Sequence, residues 1–222
     1  MRCQDCFAPL LRARNNRKFV LEIMNVLKER DIDFNGITDI LRSSGVIVYP
    51  TDTAYALGCD ATNEIAVAKI FQIKAREADK TLPVIVASAA MAEEWADFSE
   101  EAKRLAEEYW PGPLTLVLPM KKSGLVRAVV GEGNFIALRV PNNDMARQLS
   151  AELGKPIIST SANKAGAGPF YNMEAVKQSL AESLFLINDF IDAGELPVAD
   201  VSTMVKVCDN KVTVIRQGVI KI

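Results

Sequence analysis

The stretch Val46-Ile-Val-Tyr-Pro-Thr-Asp-Thr53 joins a short apolar run to a polar segment that begins at a proline. A run of this length, rich in β-branched residues and closed by turn residues, is typical of a buried strand. Comparable runs recur at 83–87, 114–118, 135–140, 156–160, 184–187, 203–207 and 212–216, and helical patterns lie near 63–73, 89–96, 99–110, 142–152 and 172–182. The alternation predicts an α/β domain. Because the last two runs follow each other without a helix, part of the sheet is expected to be antiparallel.

The first part of the chain has a different pattern. Apolar residues recur at helical spacing from Phe19 to Leu27, which predicts an amphipathic helix over residues 18–30. Asn35 is predicted to cap a second short helix that ends before Gly45. Since the chain has no internal repeat or long flexible linker, we divide it into a basic, helical N-terminal extension over residues 1–34 and one domain over residues 35–222.

The composition excludes several classes of protein. Of the 222 residues, 49% are hydrophobic and 24% are charged, as in an ordinary globular chain. No apolar stretch approaches the ~20 residues that a membrane-spanning helix needs, and the first twenty residues lack the apolar core of a secretory signal peptide. The four cysteines, at positions 3, 6, 59 and 208, are too few for a disulfide scaffold. We therefore expect a cytoplasmic location and no membrane partner.

The chain contains no histidine. This removes Ser-His-Asp and Cys-His triads, histidine-ligated zinc and imidazole acid–base catalysis. The net charge is −2, and residues 1–18 hold five basic residues beside one acid, so the remainder carries −6. An anion site in the domain must therefore be a local group of Lys and Arg side chains.

Several candidate site residues allow two interpretations each. Lys74 and Arg76 would share one side of an extended segment, but cations at a solvated helix C-terminus give the same pattern. Arg139 and Arg216 lie within apolar strands, where they either face an anionic ligand or form structural ion pairs. The polar segments after the strands at 46–49 and 156–158 are either ligand-binding loops or ordinary turns.

Two short motifs carry little weight. Ser161-Ala-Asn-Lys164 matches the Ser-x-x-Lys pattern of serine acylases, but the companion motifs of those enzymes are absent. Cys3-Gln-Asp-Cys6 has the spacing of a zinc knuckle, yet the chain offers no second pair of ligands. A Ser-Lys hydrolase is therefore the weakest function considered, and no protein metal site is predicted.

Taken together, the polar segments resemble the YrdC/TsaC family. The matching segments, in family order, are Tyr49-Pro-Thr-Asp-Thr-Ala-Tyr-Ala-Leu-Gly58, Lys74-Ala-Arg76 with Lys80, Trp110-Pro-Gly-Pro-Leu-Thr115, Arg139-Val-Pro141, Ser159-Thr-Ser-Ala-Asn163, Ser202-Thr203 and Arg216-Gln-Gly218. The resemblance runs from about residue 35 to the C-terminus. It implies the short, single-domain form of the family, with a twisted mixed parallel and antiparallel sheet, flanking helices and a concave electropositive face.

The resemblance also implies an activity. Members of the family make threonylcarbamoyl-AMP and pyrophosphate from L-threonine, bicarbonate and ATP, for the threonylcarbamoyladenosine modification of tRNA. The expected enzyme is thus an L-threonylcarbamoyladenylate synthase, a nucleotidyltransferase that needs Mg²⁺ with its ATP and no prosthetic group. A downstream tRNA threonylcarbamoyl transferase would take the product, and binding of tRNA or double-stranded RNA is a further expectation.

By resemblance, each group of candidate residues receives a role. Lys74 and Arg76 would be catalytic. Threonine would be bound by Thr51, Thr53, Tyr55 and Arg76. Nucleotide and phosphate groups would be bound by Lys74, Lys80, Thr115, Arg139, Ser159, Ser161, Asn163, Ser202, Thr203 and Arg216.

The sequence departs from the family pattern at four positions. Ala56 and Ala75 stand where glycine is common, Glu77 where a proline follows the arginine, and Asn143 where many members have histidine. Two alternatives to the synthase therefore stay open: a YciO-like paralogue, and an RNA- or nucleotide-binding module of the same fold without synthase activity.

Overall fold

Residues 25–75 and 81–222 are described by the computed structural model of the protein, and over these residues the chain forms eleven strands and six α-helices. The strands are β1 Asn25–Lys28, β2 Ile47–Pro50, β3 Tyr55–Gly58, β4 Val84–Ile85, β5 Leu114–Pro119, β6 Phe135–Arg139, β7 Ile157–Ile158, β8 Thr160–Ser161, β9 Asp189–Asp192, β10 Thr203–Cys208 and β11 Lys211–Arg216. The helices are α1 Phe34–Arg42, α2 Glu64–Lys74, α3 Ala89–Trp95, α4 Glu100–Tyr109, α5 Asp144–Leu153 and α6 Met173–Ser179. Short 3₁₀ helices cover Glu29–Asp31, Arg127–Val129 and Leu184–Leu186.

The described strands form two sheets. One has the order β1-β9-β2-β3-β8, and the other has the order β11-β10-β5-β6-β4-β7. Each sheet contains both orientations: β9 runs parallel to β1 and β2, whereas β2 and β3 are antiparallel. In the second sheet, β10 is parallel to β5 but antiparallel to β11. The prediction of a mixed parallel and antiparallel α/β fold is therefore confirmed.

Strand β2 lies in the centre of the first sheet and is buried on both faces. Ile47 and Tyr49 contact the cluster made with helices α1 and α5, while Val46 and Val48 belong to the larger cluster on the opposite face. Because successive side chains of a strand point to opposite faces, a strand covered on both sides must be apolar throughout. That requirement explains the continuous run at 46–49.

Each of the six described α-helices begins at a side-chain cap. The capping residues are Asp33, Asn63, Ser88, Ser99, Asn143 and Asn172. An oxygen on each of these side chains accepts a hydrogen bond from a backbone N–H of the first turn, which would otherwise lack a partner. The prediction that Asn35 caps α1 is wrong, because Asp33 occupies that position and accepts from the Asn35 N–H at 3.1 Å.

The helix predicted over residues 18–30 is also wrong where the structure describes it. Residues 25–28 form strand β1, which pairs with β9, and a 3₁₀ turn follows. Val26 packs against the larger cluster and Leu27 against the smaller one, so these neighbours face opposite sides of a strand rather than one side of a helix. Residues 1–24, including the rest of the predicted helix and the Cys3/Cys6 pair, lie outside the described residues.

The strand predicted at 184–187 is a 3₁₀ helix, and the strand β9 follows it. In β9 only Phe190 and Ile191 are apolar, and the acids Asp189 and Asp192 flank them. Asn25 donates to Asp189 at 2.7 Å, and Lys28 pairs with Asp192 at 2.5 Å. Partners on β1 thus satisfy carboxylates that make β9 hard to recognise from composition alone. Strand β3, which forms a hairpin with β2, was not predicted either.

Across the parts of the chain that the structure describes, every helix is too short or too polar to cross a lipid bilayer.

Helix α2 ends in a strained residue. Ala75 follows Lys74 in the left-handed conformation, with φ 47° and ψ 44°, and its N–H donates to the end of the helix. A Cβ at this conformation costs roughly 1–2 kcal/mol, which glycine avoids at an entropic cost of about 0.5–1 kcal/mol.

We therefore expect Ala75→Gly to raise the free energy of unfolding by about 0.5–1 kcal/mol, measured by urea denaturation. Ala151→Gly is the matched control, because Ala151 is an exposed residue inside α5. This variant should have a free energy of unfolding about 1 kcal/mol lower than the parent protein. Destabilisation by both changes would contradict the strain assigned to Ala75.

Candidate active site

A cavity of about 410 Å³ is lined by residues from both sheets. The sequence-predicted site residues that line it are Thr51, Thr53, Tyr55, Thr115, Arg139, Ser159, Ser161, Ser202 and Arg216. The remaining lining is apolar or neutral, and no Asp or Glu belongs to it within the described residues. The hollow therefore combines hydroxyl groups with two guanidinium groups.

The turn between β2 and β3 forms one wall of the cavity. The hydroxyl of Thr51 donates to Ala54 O at 2.7 Å and accepts from the backbone N–H groups of Thr53 and Ala54, both at 3.2 Å. Thr51 Oγ1 also lies 3.1 Å from Thr53 Oγ1. The threonines that follow β2 thus hold their own turn in a fixed shape, as short polar side chains do at chain reversals.

Arg139 ends strand β6 and is 8% exposed. Its Nε donates to Gly112 O at 2.9 Å, and its Nη1 donates to Thr53 Oγ1 at 3.2 Å. Its Nη2 forms an ion pair with Asp52. The structural ion pair expected as one interpretation of Arg139 is therefore present, and the residue also lines the cavity. Its binding of an anionic ligand stays a prediction.

Arg216 ends strand β11 and has a different environment. Its guanidinium donates to Ser202 O at 2.8 Å and to Ser202 Oγ at 2.9 Å, and Ser202 Oγ lies 2.9 Å from Thr115 Oγ1. Within residues 25–75 and 81–222 it forms no ion pair. Burial lowers the pKa of Arg216, and the nearby charge of Arg139 lowers it further. An anion between the two groups would relieve that repulsion.

Lys74 matches neither interpretation of the Lys-x-Arg pair. It is the last residue of α2 rather than part of an extended segment, and it is 3% exposed rather than solvated. Its Nζ donates to Ser161 O at 2.6 Å, Asn163 O at 2.9 Å and Asn163 Oδ1 at 3.3 Å. Lys74 thus holds the segment that follows β8. Arg76 and Lys80 lie outside the described residues.

Three predicted residues support the cavity through contacts to the backbone. Asn163 and Thr203 do not line it, and Tyr55 lines it but directs its hydroxyl elsewhere. Asn163 is buried, accepts a hydrogen bond from the Ser161 hydroxyl and donates to Ala167 O. Thr203 is buried, and its hydroxyl donates to Ile220 O at 2.6 Å and accepts from the N–H groups of Gly218 and Ile220.

Tyr55 is the third supporting residue. Its hydroxyl donates to Gly194 O at 2.8 Å and accepts from Ala193 N at 2.9 Å, both in the segment that follows β9. Burial raises the pKa of Tyr55 to about 12. The phenol is therefore neutral and holds that segment against β3.

The Ser-x-x-Lys motif gains no support. Lys164 Nζ pairs with Glu182 at 2.5 Å, and the Ser161 hydroxyl donates to Asn163. A nucleophilic serine needs its base within hydrogen-bond reach. The side chains of Ser161 and Lys164 bind different partners, and the described contacts include no hydrogen bond between them.

Sequence reasoning missed Asp52 as a site residue. Its carboxylate holds Arg139 and also accepts from Asn142 N at 3.1 Å. The available signal was an acid between Thr51 and Thr53 directly after a buried strand. Its partner, however, lies 87 residues away, so only the pairing of the sheets identifies it.

Comparison with known proteins assigns the class. Residues 39–218 match the model of the Sua5/YciO/YrdC family, which carries the description "Telomere recombination". The chain therefore belongs to this family. Over 181 residues it is 37% identical to the threonylcarbamoyl-AMP synthase of Psychromonas ingrahamii, covering 80% of this chain and 91% of that protein. It is 31% identical to the threonylcarbamoyl-AMP synthase of Bacillus subtilis, covering 91% of this chain and 58% of that protein.

Solved structures agree with this assignment. The crystal structure of Pyrococcus abyssi Sua5 complexed with L-threonine matches with a TM-score of 0.79 and 32% identity, over 88% of this chain and 57% of that chain. The crystal structure of E. coli YciO matches with a TM-score of 0.76 and 27% identity, over 88% of this chain and 95% of that chain. Both branches considered from the sequence therefore share this fold.

The contacts of Lys74 generate a stability prediction. Lys74→Met should lower the free energy of unfolding by about 3 kcal/mol, because it leaves buried oxygens of the 161–163 segment without a donor. Lys164→Met is the control, since its partly exposed pair with Glu182 is worth less than about 1 kcal/mol. Urea denaturation measures both. Equal losses in the two variants would show that Lys74 does not hold the segment.

Proposed function

We propose that the protein is an L-threonylcarbamoyladenylate synthase, which forms threonylcarbamoyl-AMP and pyrophosphate from L-threonine, bicarbonate and ATP. The observation that carries the proposal is the cavity between Arg139 and Arg216, which offers guanidinium and hydroxyl groups and no lining carboxylate among the described residues. Relatives that bear the synthase name match this chain over most of their length. A hollow of this composition is suited to several anions held close together.

The proposed reaction needs no nucleophile from the protein. The threonine amine attacks the carbon of bicarbonate, and loss of water leaves a carbamate. A carbamate oxygen then attacks the α-phosphorus of ATP, and the bond from that phosphorus to the pyrophosphate oxygen breaks. Positioning and electrostatic stabilisation dominate the catalysis of such transfers. A chain without histidine can therefore perform it.

The geometry supports a division of roles among the predicted residues. The lining hydroxyls and guanidiniums would contact substrates. One group is Thr51 and Thr53 of the β2–β3 turn with Arg139 of β6, and the other is Thr115 of β5 with Ser202 and Arg216. Ser159 and Ser161 also line the cavity, and Ser161 pairs with Ala56 of β3. Lys74, Asn163, Thr203 and Tyr55 would act by holding that lining in shape. Arg76 and Lys80 would add charge from the segment next to α2.

Magnesium would enter as the complex with ATP. Phosphate oxygens of ATP would hold the ion, as is usual for nucleotide-bound Mg²⁺, and it would offset part of their negative charge. The product would pass to a tRNA threonylcarbamoyl transferase. Binding of tRNA or double-stranded RNA stays a prediction, as does the cytoplasmic location.

The substrate requirement tests the proposal. Purified protein should release pyrophosphate from ATP only when L-threonine and bicarbonate are both present, and mass spectrometry should detect the threonylcarbamoyl adenylate. L-Serine should be a poorer substrate by roughly 10- to 150-fold, because a pocket that fits the threonine methyl group loses about 1–3 kcal/mol without it.

Omission of each substrate in turn separates the alternatives. Pyrophosphate release without threonine would identify a different ATP-using enzyme. Binding of nucleotide without turnover would favour the YciO-like paralogue or a binding module. Steep weakening of RNA binding with salt would indicate contacts to several phosphates.

Arg216 tests the electrostatic part of the mechanism. Arg216→Ala should lower kcat/KM about 10²- to 10³-fold, because it removes positive charge where negative charge accumulates. Arg76→Ala should have a comparable effect, and lysine at either position should restore only part of the rate, since an ammonium lacks the planar fork. Steady-state synthesis of the adenylate measures each variant.

Arg104→Ala is the matched control, because Arg104 pairs with Glu101 and Glu108 on the exposed surface of α4. It should leave the rate unchanged. A normal rate in Arg216→Ala, with an unchanged melting temperature, would contradict a role for this guanidinium in the reaction.

A further inference from the structure

Asp52 lies directly behind the lining of the cavity, where one carboxylate joins the two sheets. It belongs to the turn between β2 and β3 of the first sheet, and its side chain is 12% exposed. One oxygen pairs with Arg139 at the end of β6, in the second sheet. The other accepts from Asn142 N at 3.1 Å, just beyond the same strand. Both oxygens therefore bind the same end of β6.

These contacts determine the orientation of the guanidinium. Each of the three nitrogens of Arg139 has one fixed acceptor: Gly112 O, Thr53 Oγ1 and Asp52 Oδ1. A planar fork with three fixed nitrogens cannot rotate without breaking one of its bonds. The hydroxyl of Thr53 is oriented by the same contact. Loss of the Asp52 carboxylate removes one of the three restraints on Arg139, and this is the restraint formed by a charged group.

Asp52 also sets the charge of the cavity. Of the two lining arginines, Arg139 is neutralised by Asp52, whereas Arg216 is bound by neutral oxygens of Ser202. Removing the negative charge of Asp52 would leave both guanidiniums uncompensated. Ground-state binding of an anion would then become stronger, while the group that should orient it becomes loose.

We propose that Asp52 is a positioning residue, which holds Arg139 in the orientation needed for turnover and weakens the ground-state binding of anions in the cavity. The inference rests on the proposed function for its effect on rate. Its effect on anion binding is independent of that function. Replacing Asp52 should therefore lower the rate of turnover through lost orientation and raise the affinity for anions through the change in charge. A purely structural role would not produce both effects.

The test compares Asp52→Asn with Asp60→Asn as a matched control. Asp60 is 3% exposed, accepts from the backbone N–H of Thr62 at 2.8 Å and pairs with Lys155 at 2.9 Å. Like Asp52 it therefore has a basic side chain and a backbone N–H as partners, but it is not among the residues that line the cavity and it does not contact either lining arginine. Both variants should have lower melting temperatures.

Three measurements are made on the folded full-length variants: kcat, KM for ATP, and the Kd of inorganic pyrophosphate by calorimetry. Asp52→Asn should lower kcat roughly 10- to 100-fold, because Arg139 would no longer be held in the orientation needed for turnover. KM should not rise, because Arg139 keeps the positive charge that attracts ATP. The variant should bind pyrophosphate at least about threefold more tightly. Asp60→Asn should leave kcat and Kd within about twofold of the parent protein.

Asp52→Glu provides the rescue. It restores the charge but not the length of the side chain, so pyrophosphate affinity should return to the parent value and kcat should recover in part. A kcat for Asp52→Asn equal to that of Asp60→Asn, or pyrophosphate binding no tighter than in the parent, would overturn the inference. If the parent protein makes no threonylcarbamoyl-AMP, the proposed function fails, while the pyrophosphate titration still decides the role of Asp52 in setting the charge.

Discussion

A buried arginine joins the two sheets of this protein at the edge of its cavity. Arg139 ends a strand of one sheet and binds Asp52 and Thr53 from a turn of the other. A guanidinium is costly to bury alone, so the ion pair and the hydrogen bonds must form together as the sheets pack. The cavity wall depends on this contact, because Arg139 and Thr53 also line the cavity and Asp52 holds Arg139 from behind it.

A second buried cation, Lys74, has a comparable task at another part of the lining. Lys74 ends α2, and its ammonium binds three oxygens of the 161–163 segment. Thr203 and Tyr55 hold two further segments through their hydroxyls. Polar groups thus hold three backbone segments next to the cavity, while Ser202 holds Arg216. Preorganised dipoles and charges of this kind are the main source of rate in transfers between anions.

The histidine-free composition agrees with such a site. In the proposed reaction the nucleophiles would be the amine and the carbamate of the substrates, so the protein would have to supply orientation and compensating charge. The described cavity provides these in unequal form, with one arginine neutralised by a carboxylate and the other bound to neutral oxygens. Burial and the charge of Arg139 both lower the pKa of Arg216. A guanidinium nevertheless stays protonated at neutral pH, which makes it a more dependable anion partner than lysine in this setting.

By itself, the sequence determined what depends on neighbouring residues: the buried strand at 46–49, most helices and later strands, and the polar segments that define the family. It did not determine β1 or β9, because their short apolar cores are stable only as partners in one sheet. Likewise, it suggested that Lys74, Arg139 and Arg216 were unusual, but left open what each one binds. Only the tertiary structure decided that Lys74 is buried, that Arg139 pairs with Asp52 and that Arg216 has neutral partners. The physical reason is distance along the chain: Asp52 and Arg139 are 87 residues apart, and their contact exists only when the pairing of strands brings two sheets together.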